Sequence, residues 1–183
     1  MSELRGQTHT VTFKGQPYTV VGPLLKPGDK APNFRLLDQD LQERTLKDYA
    51  GKTLLLSVVY SLETSICDAQ TRRFNQEVSG LGPDVAVVTI SNDMPVTQKR
   101  WCTDHNQEPC LTLSDNRDHN FGKRYGTWVK DLGLHQRSVF VIDKKGIIRY
   151  AQYLPSIGEH PDYEKPIAVV KELLAETDKS VKR

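Results

Sequence analysis

The chain has 183 residues, of which 37% are hydrophobic and 26% charged, with 12 glycines and 10 prolines; this sizes it for one compact domain over residues 1–183 and excludes the disordered and low-complexity classes. With 25 Lys and Arg against 23 Asp and Glu the net charge is +2, and the signs are interspersed except at a basic tip, Lys179 to Arg183, so no nucleic-acid footprint is expected. Apolar runs such as Leu54–Leu56 and Val85–Val88 fall far short of the about 20 residues that span a bilayer, and the N-terminus has no apolar leader with a cleavage site, so the expectation is a cytoplasmic protein without a membrane partner.

In chain order, Thr10–Phe13 and Pro17–Val21 favour β-branched and aromatic residues around the turn Gly15-Gln16, which predicts a hairpin within an N-terminal extension over residues 1–22. Prolines at 23, 27 and 32 then predict an extended connector up to Phe34. The apolar run Thr53–Tyr60 reads as a central strand covered on both faces. Ile66, Ala69, Phe74, Val78 and Leu81 follow near a 3.6 period and predict an amphipathic helix. Val85–Ile90 is a second buried strand, so strand, crossover helix and strand form a right-handed parallel unit. Another crossover runs from Pro95 through Trp101 to about Asp104. Ser138–Ile142 and Ile147–Tyr153 flank the turn Asp143–Gly146 as an antiparallel hairpin, and a last helix carries Ile167, Val170, Leu173 and Leu174. The sum is an α/β chain: a mixed central sheet flanked by helices on the plan of a thioredoxin-like fold, with the added N-terminal β-hairpin and a decorating segment between Cys110 and Gly133.

Three cysteines, Cys67, Cys102 and Cys110, are too few for a disulfide scaffold, so in a reducing compartment each is either a small buried hydrophobe or a reactive thiol. Cys67 stands at the join between the central strand and its helix. Ser65 and Asp68 have capping-box spacing, which would make Ser65 the N-cap and Cys67 the second helical residue. Backbone N–H groups and the helix dipole there favour a thiolate, whereas the Asp68 carboxylate next door opposes it. Cys110 precedes a strand pattern, Leu111-Thr112-Leu113, and reads as a buried strand residue, though it also stays open as a rival partner for Cys67. A metal reading competes: Cys102, His105, Cys110 and His119 could supply four ligands, but their spacing matches no common closed zinc site. His9, His135 and His160 form no pair at ligand spacing and are expected in solvated loops.

The segment Ser61-Leu62-Glu63-Thr64-Ser65-Ile66-Cys67, followed by Gln70-Thr71-Arg72-Arg73-Phe74-Asn75, resembles the thiol peroxidases, a group of atypical two-cysteine peroxiredoxins. The likeness continues through Asp93-Met94-Pro95, Gln98-Lys99-Arg100-Trp101-Cys102, Thr112-Leu113-Ser114-Asp115 and Arg137-Ser138-Val139-Phe140-Val141. The resemblance implies that Cys67 is the peroxidatic nucleophile, with Thr64 three residues before it and Arg137 flanking the thiolate. It makes Cys102 the resolving cysteine, joined to Cys67 in an intramolecular disulfide that thioredoxin reduces. It also implies hydrogen peroxide and organic hydroperoxides as substrates, a homodimer with active-site loops at its interface, and no metal, haem or flavin. One residue departs from the pattern: Tyr60 stands where the family has proline, which predicts a looser and more solvated pocket. That departure favours the alternative reading, a thioredoxin-fold redox sensor or binding module with slow peroxide reactivity. Cys102 lies 35 residues after Cys67 in the next crossover, so unless the two helices touch, the segment around it must rearrange to bring the Cα atoms within about 7 Å.

Overall fold

The computed structural model describes residues 7–181; residues 1–6 and 182–183, which the readings of the leader and the basic tip included, lie outside them. Strands β1 (Thr8–Phe13) and β2 (Gln16–Val21) form the expected hairpin. Phe13 pairs with Gln16, and the turn between them is Lys14-Gly15, both at positive φ (49° and 76°). This is one residue earlier than the expected Gly15-Gln16. Two left-handed residues give the turn the twist that flanking strands require, and glycine takes the second at no steric cost.

After the proline-rich connector, β3 (Arg35–Leu37) and β4 (Glu43–Thr45) make a short hairpin that no local pattern announced. The main sheet then gains β5 (Thr53–Val58), β6 (Val85–Ser91), β7 (Leu111–Ser114), β10 (Ser138–Ile142) and β11 (Ile148–Tyr153), in the order β11-β10-β5-β6-β7-β3-β4. The β5–β6 and β6–β7 pairs are parallel, and the others are antiparallel. Helix α1 (Ser65–Val78) makes the first parallel crossover and α2 (Pro95–Asp104) the second. The β5 strand alternates faces at period two. Leu54, Leu56 and Val58 pack with Val88, Ile90 and Phe140 against Phe121 and Tyr125 of α3 (Asn120–Tyr125). Leu55 packs with Val87 and Val141 on the other face, under Phe74 and Val78 of α1 and Ile167, Val170 and Leu173 of α4 (Glu164–Val181). Helices therefore lie on both faces, as the composition of the strands requires.

The segment expected to be decoration, between Cys110 and Gly133, is instead divided between the two sheets. Its β7 lies inside the main sheet, whereas β8 (Trp128–Val129), with β9 (Leu134–His135), extends the N-terminal hairpin into a second sheet of order β1-β2-β8-β9. His135, expected in a solvated loop, has no exposed surface. Its Nδ1 hydrogen-bonds the Thr127 hydroxyl (2.9 Å) and its Nε2 stands 3.4 Å from the Asp115 carboxylate. Burial pushes His135 down to about 3 and Asp115 up to about 7, so the pair meets at neutral pH without a full buried charge on the ring. His9 is half-buried against Gln136 (2.6 Å), and only His160 of the three is exposed.

Asp115 also ties this region to α3, because its two oxygens accept the backbone N–H groups of Phe121 (3.0 Å) and Gly122 (2.9 Å). An amide there would turn an NH₂ toward one of those donors. Asp115→Asn is therefore expected to lower unfolding stability by about 1–3 kcal/mol, read as a shift of the urea midpoint at constant slope.

Candidate active site

The loop from β5 to α1 is pinned before it reaches Cys67. The Asp93 carboxylate accepts the Ser61 hydroxyl (2.9 Å), the Leu62 N–H (2.8 Å) and the Ser91 hydroxyl (2.8 Å). Thr64, not Ser65, is the N-cap of α1, in extended conformation, and its hydroxyl donates to the Ser61 carbonyl (3.0 Å). The expected Ser65–Asp68 capping box is not formed: the Asp68 N–H goes to the Thr64 carbonyl (2.9 Å), and the Asp68 carboxylate binds Arg72 (3.0 Å) and the Trp101 indole N–H (3.2 Å). Cys67 is thus the third helical residue rather than the second. It remains within the first turn, where backbone N–H groups lack intrahelical acceptors and the dipole is positive.

Cys67 is a free thiol with no exposed surface. Arg137, immediately before β10, is also wholly buried, and its Nη1 donates to the Cys67 sulfur at 3.4 Å. The sheet explains the encounter. Because β10 runs antiparallel to β5 with Ser138 opposite Val58, the start of β10 lies beside the end of β5, where the loop to Cys67 departs. The guanidinium is further held by the Gln70 side-chain oxygen (2.9 Å) and by the Ile157 carbonyl, which accepts from Nε (3.2 Å) and Nη2 (2.9 Å). Gln70 in turn donates to the Ser57 hydroxyl (2.9 Å). Among the described residues no carboxylate pairs with Arg137. Tyr60 closes this side: its ring centroid lies 5.6 Å from the Arg137 guanidinium carbon, and its ring meets Phe13 of the hairpin edge-on at 6.2 Å. The looser, solvated pocket expected from Tyr60 is not what the structure holds, because the hairpin gives the ring a surface to pack on.

Cys67 and Arg137 therefore meet, with Thr64 at the N-cap of the same helix three residues before Cys67. Cys102 does not reach Cys67: the disulfide in the structure joins Cys102 to Cys110, with 6.0 Å between Cα atoms, and the bond expected between Cys67 and Cys102 is not formed. Nor is Cys110 a lone strand residue; it precedes β7 and is half-buried. The physical reason is proximity. The chain between positions 102 and 110 leaves the end of α2 and returns directly to β7, which puts Cys110 beside the helix it has just left. Even so, Cys67 and Cys102 belong to one packed cluster with Val59, Leu62 and Trp101, with Tyr60 and Cys110 at its margin. The two helices touch through the Trp101 indole N–H, which donates to the Asp68 carboxylate (3.2 Å), but with Cys102 bonded to Cys110 its sulfur has to be released before it can meet Cys67. The metal reading is not supported: His105 stacks on Trp101 (4.6 Å) and His119 on Trp128 (3.7 Å), and among the described residues no cluster of three or more His, Cys, Asp or Glu could hold a metal ion.

Sequence reasoning missed Gln70, Asp93 and the Ile157 carbonyl as site elements. Gln70 carried a signal, a polar residue three positions after Cys67 and on the same helix face. The Ile157 carbonyl carried none, since any residue offers one.

Such a thiol, at the strand-to-helix turn of a thioredoxin-like sheet with an arginine on its sulfur, defines a peroxiredoxin-class fold. Residues 26–167 match the Redoxin family. Thiol peroxidases from Bacillus subtilis and Listeria innocua are 49% and 50% identical over 164 and 161 residues, covering 90% and 88% of this chain and 98% and 97% of those proteins. Among solved structures, a peroxiredoxin-like protein from Aquifex aeolicus superposes with a TM-score of 0.83 at 37% identity over 92% of this chain and 99% of that one. The chain belongs to the Redoxin family, among the thiol peroxidases.

Two substitutions test the site. Arg137→Met removes the donor to the sulfur and is expected to slow Cys67 oxidation by about 10²–10³-fold, the cost typical of one lost electrostatic donor, in stopped-flow mixing with one equivalent of hydrogen peroxide. Gln70→Glu gives the guanidinium a carboxylate that competes with the sulfur for its charge. A slowing of about tenfold or more is expected, with the urea midpoint unchanged or raised.

Proposed function

We propose that the chain reduces hydrogen peroxide and organic hydroperoxides through Cys67. The observation that carries this reading is the 3.4 Å contact between the Arg137 guanidinium and the Cys67 sulfur in a closed site at the start of α1. The thiolate attacks the nearer oxygen of the O–O bond in line; that bond breaks, the leaving oxygen takes a proton to depart as water or alcohol, and sulfur becomes sulfenic acid. Thiolate formation alone raises reactivity little, because a less basic sulfur is a poorer nucleophile. The larger effect is stabilisation of charge spreading over the breaking bond by Arg137 and the first-turn N–H groups. Thr64, whose hydroxyl hydrogen is directed at Ser61, offers its oxygen to the hydroperoxide O–H. Cys102 then attacks the sulfenic sulfur, releasing water and forming the Cys67–Cys102 disulfide.

The same reading makes thioredoxin the reductant and the working form a homodimer, both from the family resemblance, and the location cytoplasmic, from the sequence reading. It is compatible with the observation that no helix among the described residues is long and apolar enough to cross a membrane. No metal, haem or flavin is needed for the chemistry, since the peroxide itself is the two-electron oxidant.

The test is peroxide consumption by single cysteine variants. Cys67→Ser is expected to lose fast reduction in a single turnover, and Cys102→Ser to keep the first oxidation but lose turnover driven by thioredoxin. Wild-type consumption by Cys67→Ser refutes the assignment.

A further inference from the structure

We propose that Cys110 is a third redox-active residue, which takes the disulfide over from Cys67 and returns it to the surface as Cys102–Cys110. The inference rests on the peroxidase reading above and adds a step to it. Three observations meet here. The bond present in the structure is Cys102–Cys110, with Cys67 a thiol. Cys67 and Cys102 belong to one buried cluster, and Cys110 packs against its margin. Cys110 also lines an open groove of about 340 Å³ with Asp38, Gln39, Tyr49 and Thr112.

These positions separate two tasks that a single buried pair performs poorly together. Peroxide needs the Cys67 site, where neither Cys67 nor Arg137 has exposed surface and Arg137 is held on the sulfur. A protein dithiol needs a sulfur it can approach, since exchange requires a thiolate to meet a disulfide sulfur end-on. Cys67 offers no surface for that approach, whereas Cys110 opens on the groove. Gln39 is placed to receive the relocated bond: its amide donates to the Cys102 sulfur (3.3 Å), the Cys110 carbonyl (3.0 Å) and the Thr112 hydroxyl (2.9 Å), tying both cysteines to one side chain on the groove wall.

The sequence of steps balances. The Cys67 sulfenic acid and the Cys102 thiol give the Cys67–Cys102 disulfide and water. The Cys110 thiolate then attacks the Cys102 sulfur, the Cys67–Cys102 bond breaks, and Cys67 leaves as thiolate. No external electrons enter at this exchange. A protein dithiol finally attacks Cys110, reducing the Cys102–Cys110 bond while itself becoming a disulfide.

The consequence is a stoichiometry. Fully reduced wild-type protein, mixed anaerobically with hydrogen peroxide and no reductant, should consume a second equivalent rapidly, because the exchange regenerates the Cys67 thiol. Peptide maps of samples trapped by acid and alkylation should show Cys67–Cys102 first, then its replacement by Cys102–Cys110 with Cys67 alkylatable. Cys110→Ser should stop after one rapid equivalent with Cys67–Cys102 accumulated, a twofold difference in titration end point. A wild-type protein that stops at one equivalent with Cys67–Cys102 persisting overturns the relay and leaves the peroxidase reading intact. Formation of Cys102–Cys110 by Cys67→Ser at the wild-type rate also overturns it, since the bond would then arise without Cys67. Failure of the peroxidase reading has a different signature, namely undiminished peroxide consumption by Cys67→Ser.

Discussion

A cation buried without a carboxylate is the constraint around which this site is organised. Arg137 has no exposed surface, and taking a guanidinium out of water costs several kcal/mol unless its donors are met. Here they are met by the Ile157 carbonyl, the Gln70 side-chain oxygen and the Cys67 sulfur. Neutral oxygens satisfy hydrogen bonds but leave the charge uncompensated. The sulfur, as thiolate, is the one partner among these that can balance it. The folded chain thereby holds an electrostatic demand at the Cys67 sulfur, the kind of preorganisation that favours a displacement spreading negative charge.

Much of the surrounding structure serves to keep that demand in place. Ser57 orients Gln70, and Gln70 orients Arg137. Tyr60 covers the guanidinium and leans on Phe13, so the N-terminal hairpin is part of the wall rather than an appendage. Asp93 draws three donors from the loop and the end of β6 and fixes where the chain enters α1. On the outer side, Asp68 pairs with Arg72 one turn on in α1 and clasps α1 to α2 through the Trp101 indole N–H, while Arg100 of α2 pairs with Glu63 in the loop before α1. The exposed ion pairs contribute little stability by themselves. The Trp101 contact is different, because its ring lies in the cluster that also holds Cys67 and Cys102.

The cysteines sit on elements held to different degrees. Cys102 is near the end of a ten-residue helix, where fraying is cheap. Cys110 adjoins β7, whose parallel pairing with β6 begins at Leu111.

The sequence by itself determined the central elements and singled out Cys67 as the candidate nucleophile. Continuous apolar runs made β5 and β6, the 3.6 period made α1, Pro95 opened α2, and Cys67 stood where strand gives way to helix; these are short-range signals, readable because local geometry sets which side chains share a face. Arg137 and Thr64 were reachable through resemblance, with no local pattern to single them out. Only the tertiary structure decided the sheet order, the burial of His135 against Asp115, the placement of Tyr60 on the hairpin, the grip of Ile157 and Gln70 on the guanidinium, and the pairing of Cys102 with Cys110. Each depends on segments distant in sequence meeting in a particular packing, or on a backbone carbonyl that every residue possesses. Periodicity states that a face is buried but not what covers it.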